Sequence, residues 1–287
     1  MTATSRLPGL NGLRAIAASL VLVIHFFQIT GIAGDKASAA FFEKHNQLGT
    51  DMVNLFFVIS GFIITYILYR EKGQTKTINL AKFYIKRALR IWPLYFGIFG
   101  LVYILGRYTP VYNDYSPLNK DGILTICLFI MSLVSLFPAP QFSVLPHYWS
   151  LSVEEQFYLF WPAIFRKLRG KQVVIFCVVA IIGLAALRAG LGYLELNNPG
   201  ERLRSILFIL HQSMFGSIAI GVIGAYLLVH DSGYFKYIFN KYVQLFCWAV
   251  FLGSIIFSFH IPYVQYEIMG LVDLIIILNV TSNKKTL

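Results

Sequence analysis

The chain has 287 residues, of which 57% are hydrophobic and 13% charged, with a net charge of +11 and a mean hydropathy of +0.67. This composition excludes an ordinary soluble domain, whose interior could not hold so much apolar surface. It also speaks against a nucleic-acid-binding face, because the basic residues are confined to short segments between apolar runs.

Apolar runs lie near residues 13–33, 52–69, 90–106, 122–137, 148–165, 172–194, 205–229, 243–259 and 268–280. Each approaches the roughly 20 residues that a helix needs to cross a bilayer. The first is long, has no small-residue cleavage site after it and is followed by further runs, so it is expected to be a retained span. Stretch 70–90 carries Arg70, Lys72, Lys76, Lys82, Lys86, Arg87 and Arg90 against the single acid Glu71, whereas 34–47 is nearly balanced and reads as an outer loop. The positive-inside rule places the N-terminus, 70–90 and the basic block 166–171 in the cytoplasm. Two full crossings between 107–121 and 166–171 would break that parity. Segment 122–137, followed by Pro138, Pro140 and Pro146, is therefore expected to be re-entrant or half-crossing. The expected architecture is an all-α, polytopic transmembrane bundle of about eight full spans plus that segment, in a single domain over 1–287.

Several polar residues fall where apolar ones are expected. A charged side chain inside a span costs about 2.5–3.5 kcal/mol on insertion scales and is a functional candidate by default. His25 sits within AASLVLVIHFFQ, and Arg14 precedes it by eleven residues. Eleven residues is close to three turns, so both side chains share a face and lie about 16 Å apart along the axis. Their bland alternatives are a histidine bonded to a neighbouring helix and a snorkelling arginine. In KFYIKRALRIWPLYF, Arg87 and Arg90 are one turn apart at a cytoplasmic entrance. Their guanidinium forks suit phosphate oxygens, although positive-inside anchoring also explains them.

In HYWSLSVEEQFYLFWP, Glu154 shares a helical face with Ser150 and Tyr158. Ser152 and Glu155 fit a capping box, and Asp51 reads as an N-cap before the second span. His147 reads as an interfacial loop residue, and His211, His230 and His260 as structural. Cys127, Cys177 and Cys247 lie in apolar runs without metal-ligand spacing, so they read as small buried hydrophobes and no metal site is expected.

Three segments in order, LPGLNGLRAIAASLVLVIHF, NLFFVISGFIIT with FYIKRALRIWPLYF, and HYWSLSVEEQFYLFWP, resemble the membrane acyltransferase type 3 family over about residues 6–165. The resemblance implies a multi-pass protein of the bacterial inner membrane, N-terminus inside. It further implies transfer of an acyl group, usually acetyl, from cytoplasmic acyl-coenzyme A to a hydroxyl of a surface polysaccharide or lipid-linked glycan. On this reading acyl-coenzyme A is a donor substrate and no cofactor is held permanently. The family's functional positions fall on Arg14, His25, Arg87, Arg90 and Glu154. Met52, Val53 and Asn54 stand where members often carry Gly-Val-Asp, and the chain is expected to lack C-terminal spans usual in the family.

The clusters fit that chemistry on their own physics. Coenzyme A is polyanionic, which suits Arg14, Arg87 and Arg90. A desolvated neutral imidazole at His25 can take a proton from an acceptor hydroxyl. Glu154 would orient the imidazole or bind sugar hydroxyls, with Ser150, Glu155 and Tyr158 on the acceptor. Two rivals from other classes are a proton-coupled transporter using buried His and Glu, and a non-catalytic partner in a polysaccharide export complex.

Overall fold

The computed structural model describes residues 7, 9–32, 34–108, 148–230, 233–257, 261 and 263–282. Within them every regular element is a helix. These are α1 (Leu10–Ile32), α2 (Lys36–Thr75), α3 (Leu80–Tyr108), α4 (Tyr148–Lys167), α5 (Gln172–Asn197), α6 (Glu201–Ser213), α7 (Phe215–Val229), α8 (Phe235–Ile238), α9 (Lys241–Phe257) and α10 (Gln265–Ser282). Six helical stretches are long and apolar enough to cross a membrane: Leu10–Gly31, Lys36–Thr75, Leu80–Leu105, Gln172–Asn197, Glu201–Val229 and Gln265–Ser282. The α9 helix is apolar but only 17 residues long. Segment 122–137 with its prolines, Cys127, His147 and His260 lie outside the described residues.

The second helix corrects two expectations. Residues 36–47, inside the expected outer loop, are the first turns of α2, a continuous helix of 40 residues. At 1.5 Å per residue it is about 60 Å long, roughly twice the hydrocarbon thickness of a bilayer. Two contacts with α1 favour helix over loop: the Phe27 and Phe41 rings lie 4.2 Å apart, and Gly31 lies against the Ala39 backbone. Asp51 is therefore not an N-cap. It is buried in mid-helix, and its Oδ1 accepts a hydrogen bond from Gln47 Nε2 at 3.0 Å. The cap is Asp35, whose carboxylate accepts from the Ala37 and Ser38 amides at 3.3 and 3.1 Å.

A third correction concerns Ser152. It lies a full turn inside α4 and donates to Tyr148 O at 2.8 Å, so it forms no capping box with Glu155. The apolar run 205–229 is also interrupted, because Met214 adopts φ 42° and separates α6 from α7.

The chain forms two compact units. The first holds residues 1–69, 170–187 and 214–287. Its centre is α10, which packs on α7, α9, α8 and α1. Leu55, Val58, Phe62, Ile220, Leu274, Ile277 and Leu278 fill its core. Helices α2 and α7 cross at backbone contact: a Cβ on Gly61 would lie 2.1 Å from Ile218 O, and one on Gly221 would lie 2.1 Å from Val58 O. Membrane helices gain attraction from such close approach because burial against lipid supplies no hydrophobic gain.

The second unit holds residues 70–169 and 188–213. In it α4 packs on α3 and α6. The Tyr95 and Tyr148 rings stack at 4.3 Å, and Tyr148 OH donates to Tyr95 O at 2.7 Å. Lys72 Nζ donates to Leu168 O at 2.9 Å, meeting the open carbonyls at the end of α4. The α3 surface leaves Leu89, Leu94, Leu101 and Ile104 exposed, as suits a helix facing lipid.

Candidate active site

The second unit brings four of the expected residues together across α3 and α4. α3 starts at an Asn79 cap, whose Oδ1 accepts from Lys82 N at 3.0 Å. One turn in, Phe83 is buried, and Arg87 follows it at i+4. The Arg87 guanidinium lies 5.7 Å from the Phe83 ring centre and 5.1 Å from that of Tyr158 on α4. Cation–π contacts of this kind contribute about 0.5–2 kcal/mol and leave the N–H donors free for an anion. No hydrogen bond from Arg87 to another described residue is present, while Glu154 and Glu155 attract it through space.

Tyr158 OH donates to Glu154 Oε2 at 2.7 Å, confirming the shared face that their spacing predicts. Glu155 points elsewhere. Its Oε2 accepts from Trp92 Nε1 at 3.3 Å, while its Oε1 is buried and takes no hydrogen bond among the described residues. The tertiary structure makes Trp92 the orienting partner of a carboxylate. Tyr84 OH reaches Leu159 O at 2.8 Å and fixes the register of the two helices. Arg90 is exposed one turn beyond Arg87, and Ser150 is half-buried one turn before Glu154.

Arg14 and His25 belong to the first unit. Both are half-buried on the unbroken helix α1, flanking the stripe of Leu10, Leu13, Ala17 and Ile24 that enters the core. His25 Nδ1 lies 2.8 Å from Gln28 Oε1. Gln28 was not among the expected site residues, although a glutamine three positions after a histidine on one helix was there to be read. A proton on Nδ1 donated to Gln28 puts the ring lone pair on Nε2.

The remaining described histidines are engaged with backbone or rings. His211 and His230 each meet the carbonyl four residues earlier, at 3.3 and 2.9 Å, and the His45 ring lies tilted against Phe41 with the ring centres 4.6 Å apart. Cys177 and Cys247 are buried thiols.

Six apolar helical stretches of spanning length among the described residues, with buried ionisable clusters beside them, define a multi-pass membrane protein with a polar site. The acyltransferase domain of the type 3 family matches residues 7–284, and the chain belongs to that family. It is similar to "O-acetyltransferase OatA" of Staphylococcus aureus (strain NCTC 8325 / PS 47), 31% identical over 190 residues, covering 63% of this chain and 28% of that protein. A second relative is "Putative O-acetyltransferase SACOL0978" of Staphylococcus aureus (strain COL), 33% identical over 193 residues, covering 62% and 29%. A third, an uncharacterized protein of Haemophilus influenzae, is 34% identical over 140 residues, covering 45% and 56%. The chain thus spans less than a third of the length of the two staphylococcal relatives. No solved structure matches.

Proposed function

We propose that the protein is an integral-membrane O-acyltransferase, moving an acetyl group from cytoplasmic acetyl-coenzyme A to a hydroxyl of a cell-surface or lipid-linked polysaccharide. Family membership and the names of the staphylococcal relatives support the reaction class. The observation that carries the donor assignment is Arg87: a guanidinium held by two aromatic rings, with no acceptor among the described residues. That is the disposition of a group awaiting an anion such as a phosphate. Arg90 and Arg14 supply further positive charge for the coenzyme A phosphates.

In the transfer, His25 Nε2 takes the proton of the acceptor hydroxyl as its oxygen attacks the thioester carbonyl. The C–O bond forms, the C–S bond breaks, and the proton passes to the departing thiolate. Gln28 holds the imidazole in the tautomer this requires. Glu154, oriented by Tyr158, and Glu155, oriented by Trp92, bind acceptor hydroxyls together with Ser150.

The accompanying topology is an N-terminus in the cytoplasm of a bacterial inner membrane. Counting α4 and α9 with the long apolar helices gives about eight crossings, with 122–137 as the half-crossing segment. Single cysteines in 70–86 and 166–171 are then labelled only after permeabilisation. Labelling of 166–171 from outside would overturn the half-crossing assignment.

The donor site is tested with the full chain in nanodiscs and labelled acetyl-coenzyme A. Arg87→Lys keeps the charge and loses the fork, so donor affinity falls about tenfold, equivalent to about 1.4 kcal/mol. Unaltered affinity would return Arg87 to a membrane-anchoring role.

A further inference from the structure

One end of the second unit carries a surface that acyl transfer does not use. α3 is long and apolar enough to cross a bilayer, and its outward face changes character along the axis. Lys82, Ile85, Lys86 and Leu89 follow the i, i+3, i+4, i+7 pattern and are all exposed, so they form one stripe. From 91 to 106 the helix holds no charged residue, and Leu94, Ile98, Leu101 and Ile104 are exposed. Cations occupy the first turns and hydrocarbon the rest.

α4 repeats this order from the opposite direction. Tyr148 OH reaches Tyr95 O and Tyr84 OH reaches Leu159 O, so the two helices run antiparallel and the end of α4 lies beside the start of α3. Leu159 and Phe160 are exposed, and Arg166 and Lys167 follow in the last turn. Lys72, in the last turn of α2, donates to Leu168 O and brings the turn with Lys76 to the same end.

Lys76, Lys82, Lys86, Arg166 and Lys167 are exposed, and their side chains make no ion pair or hydrogen bond among the described residues. Glu71 is the single acid in 70–90, and its Oε1 is turned to the backbone, accepting from Asn79 N at 3.0 Å. Stretch 163–171 has no acid. Positive charge is therefore concentrated at the foot of an exposed apolar face. Such clusters at a membrane surface attract anionic headgroups. A water-soluble phosphate needs only the charges, whereas a phospholipid uses both the charges and the hydrocarbon beyond them.

We propose that this end of the α3–α4 pair binds an anionic phospholipid. Lys82 and Lys86, one turn apart with Cβ atoms about 6 Å from one another, share the headgroup phosphate, and Arg166 and Lys167 add charge from α4. An acyl chain runs past Leu89 toward Leu101. Arg87 instead faces the Phe83 and Tyr158 rings, so lipid and acyl donor use different residues of α3.

Native mass spectrometry of the full chain, titrated in micelles with palmitoyl-oleoyl phosphatidylglycerol or phosphatidylcholine, counts the retained lipid. The wild type retains the phosphatidylglycerol at about tenfold lower concentration. Lys82→Gln combined with Lys86→Gln loses most of that preference. Neither glycerol 3-phosphate nor acetyl-coenzyme A, in excess, displaces the lipid from the wild type. Equal retention of the two lipids, or an unaltered preference in the double variant, would overturn the proposal. Displacement by glycerol 3-phosphate would make this a free-phosphate site, and displacement by acetyl-coenzyme A would give the lysines to the donor; either overturns it as well. If the double variant fails to insert, Arg166→Gln combined with Lys167→Gln decides on the same readout: a reduced preference supports the site, and an unaltered one overturns it.

Discussion

The α2–α7–α10 junction and the α3–α4 pair solve the same problem in opposite ways. At the first, glycines bring backbones into contact, and the side chains between them are buried aliphatics with a small, mutually bonded polar set. At the second, Tyr, Trp, Phe and Arg side chains hold the helices together, much of the surface is exposed, and the Arg87 guanidinium makes no hydrogen bond to another described residue. Dense packing forfeits stability when a single methyl is added. An open, ring-lined interface tolerates exchange and keeps polar groups available, as a binding site must. The contrast separates a junction packed by close backbone approach from an interface built of rings and polar side chains.

The comparison is broken most severely at a glycine. Gly61→Ala puts a Cβ into the Ile218 carbonyl and should destabilise the bundle by about 3 kcal/mol, the upper range for overpacking. The same change at Gly97 on α3, where nothing lies within 4 Å, should be neutral or slightly stabilising. Folded yield by size-exclusion chromatography distinguishes the two, and equal yields would erase the contrast between the regions.

His25→Ala tests whether a residue of the first unit can be chemical rather than structural. It removes a polar group from an apolar helix, so insertion and donor binding persist, while transfer per folded molecule drops by about 100-fold or more. Lower protein level with normal specific transfer would make the histidine a packing element.

Tyr158→Phe keeps the ring against Arg87 and deletes the hydroxyl that orients Glu154. The lost hydrogen bond is a matter of about 0.5–1.5 kcal/mol. The acceptor KM should rise severalfold while donor affinity holds; a loss in donor affinity instead would put the hydroxyl, not the ring, on the anion side.

The smallest effect is at Asp35. Hydrogen bonds from Ser38 hold its carboxyl below the usual carboxylate range. A depressed carboxyl stabilises the α2 start at pH values above its ordinary range, and that contribution is lost as pH falls through the lower, folded value. Amide protection factors at Ala37 and Ser38 should therefore decline below about pH 4, and Asp35→Asn should flatten the decline. A pH-independent protection in the wild type would show that the cap does not depend on charge.

The legible features were those with a local cause. Tyr158 and Glu154 meet because four residues along a helix return to the same face. Arg14 and His25 share α1 for the same reason, and Gln28 could have been added by the same rule. The apolar runs from 148 to 165 and from 268 to 280 became helices close to the expected bounds. Asp51 failed as a cap because an acid before an apolar run looks the same whether the preceding turn is helical or not. That turn was decided by Phe27 and Phe41 packing between α1 and α2. Trp92 and Glu155 are distant in sequence, and no periodicity on either helix could have paired them.

By itself, then, the sequence determined the helical class, the membrane solvent, the family and the candidate residues, because hydropathy, 3.6-residue periodicity and ordered motifs are properties of single segments. Only the tertiary structure decided that α2 runs unbroken for 40 residues, that Arg87 lies between two rings, and that Asn54 and Ser217 join Asp273 in a buried cluster. Each of these depends on which face of one helix meets which face of another. That choice is made by side-chain volume and backbone approach between residues far apart in the chain, and no segment read alone contains it.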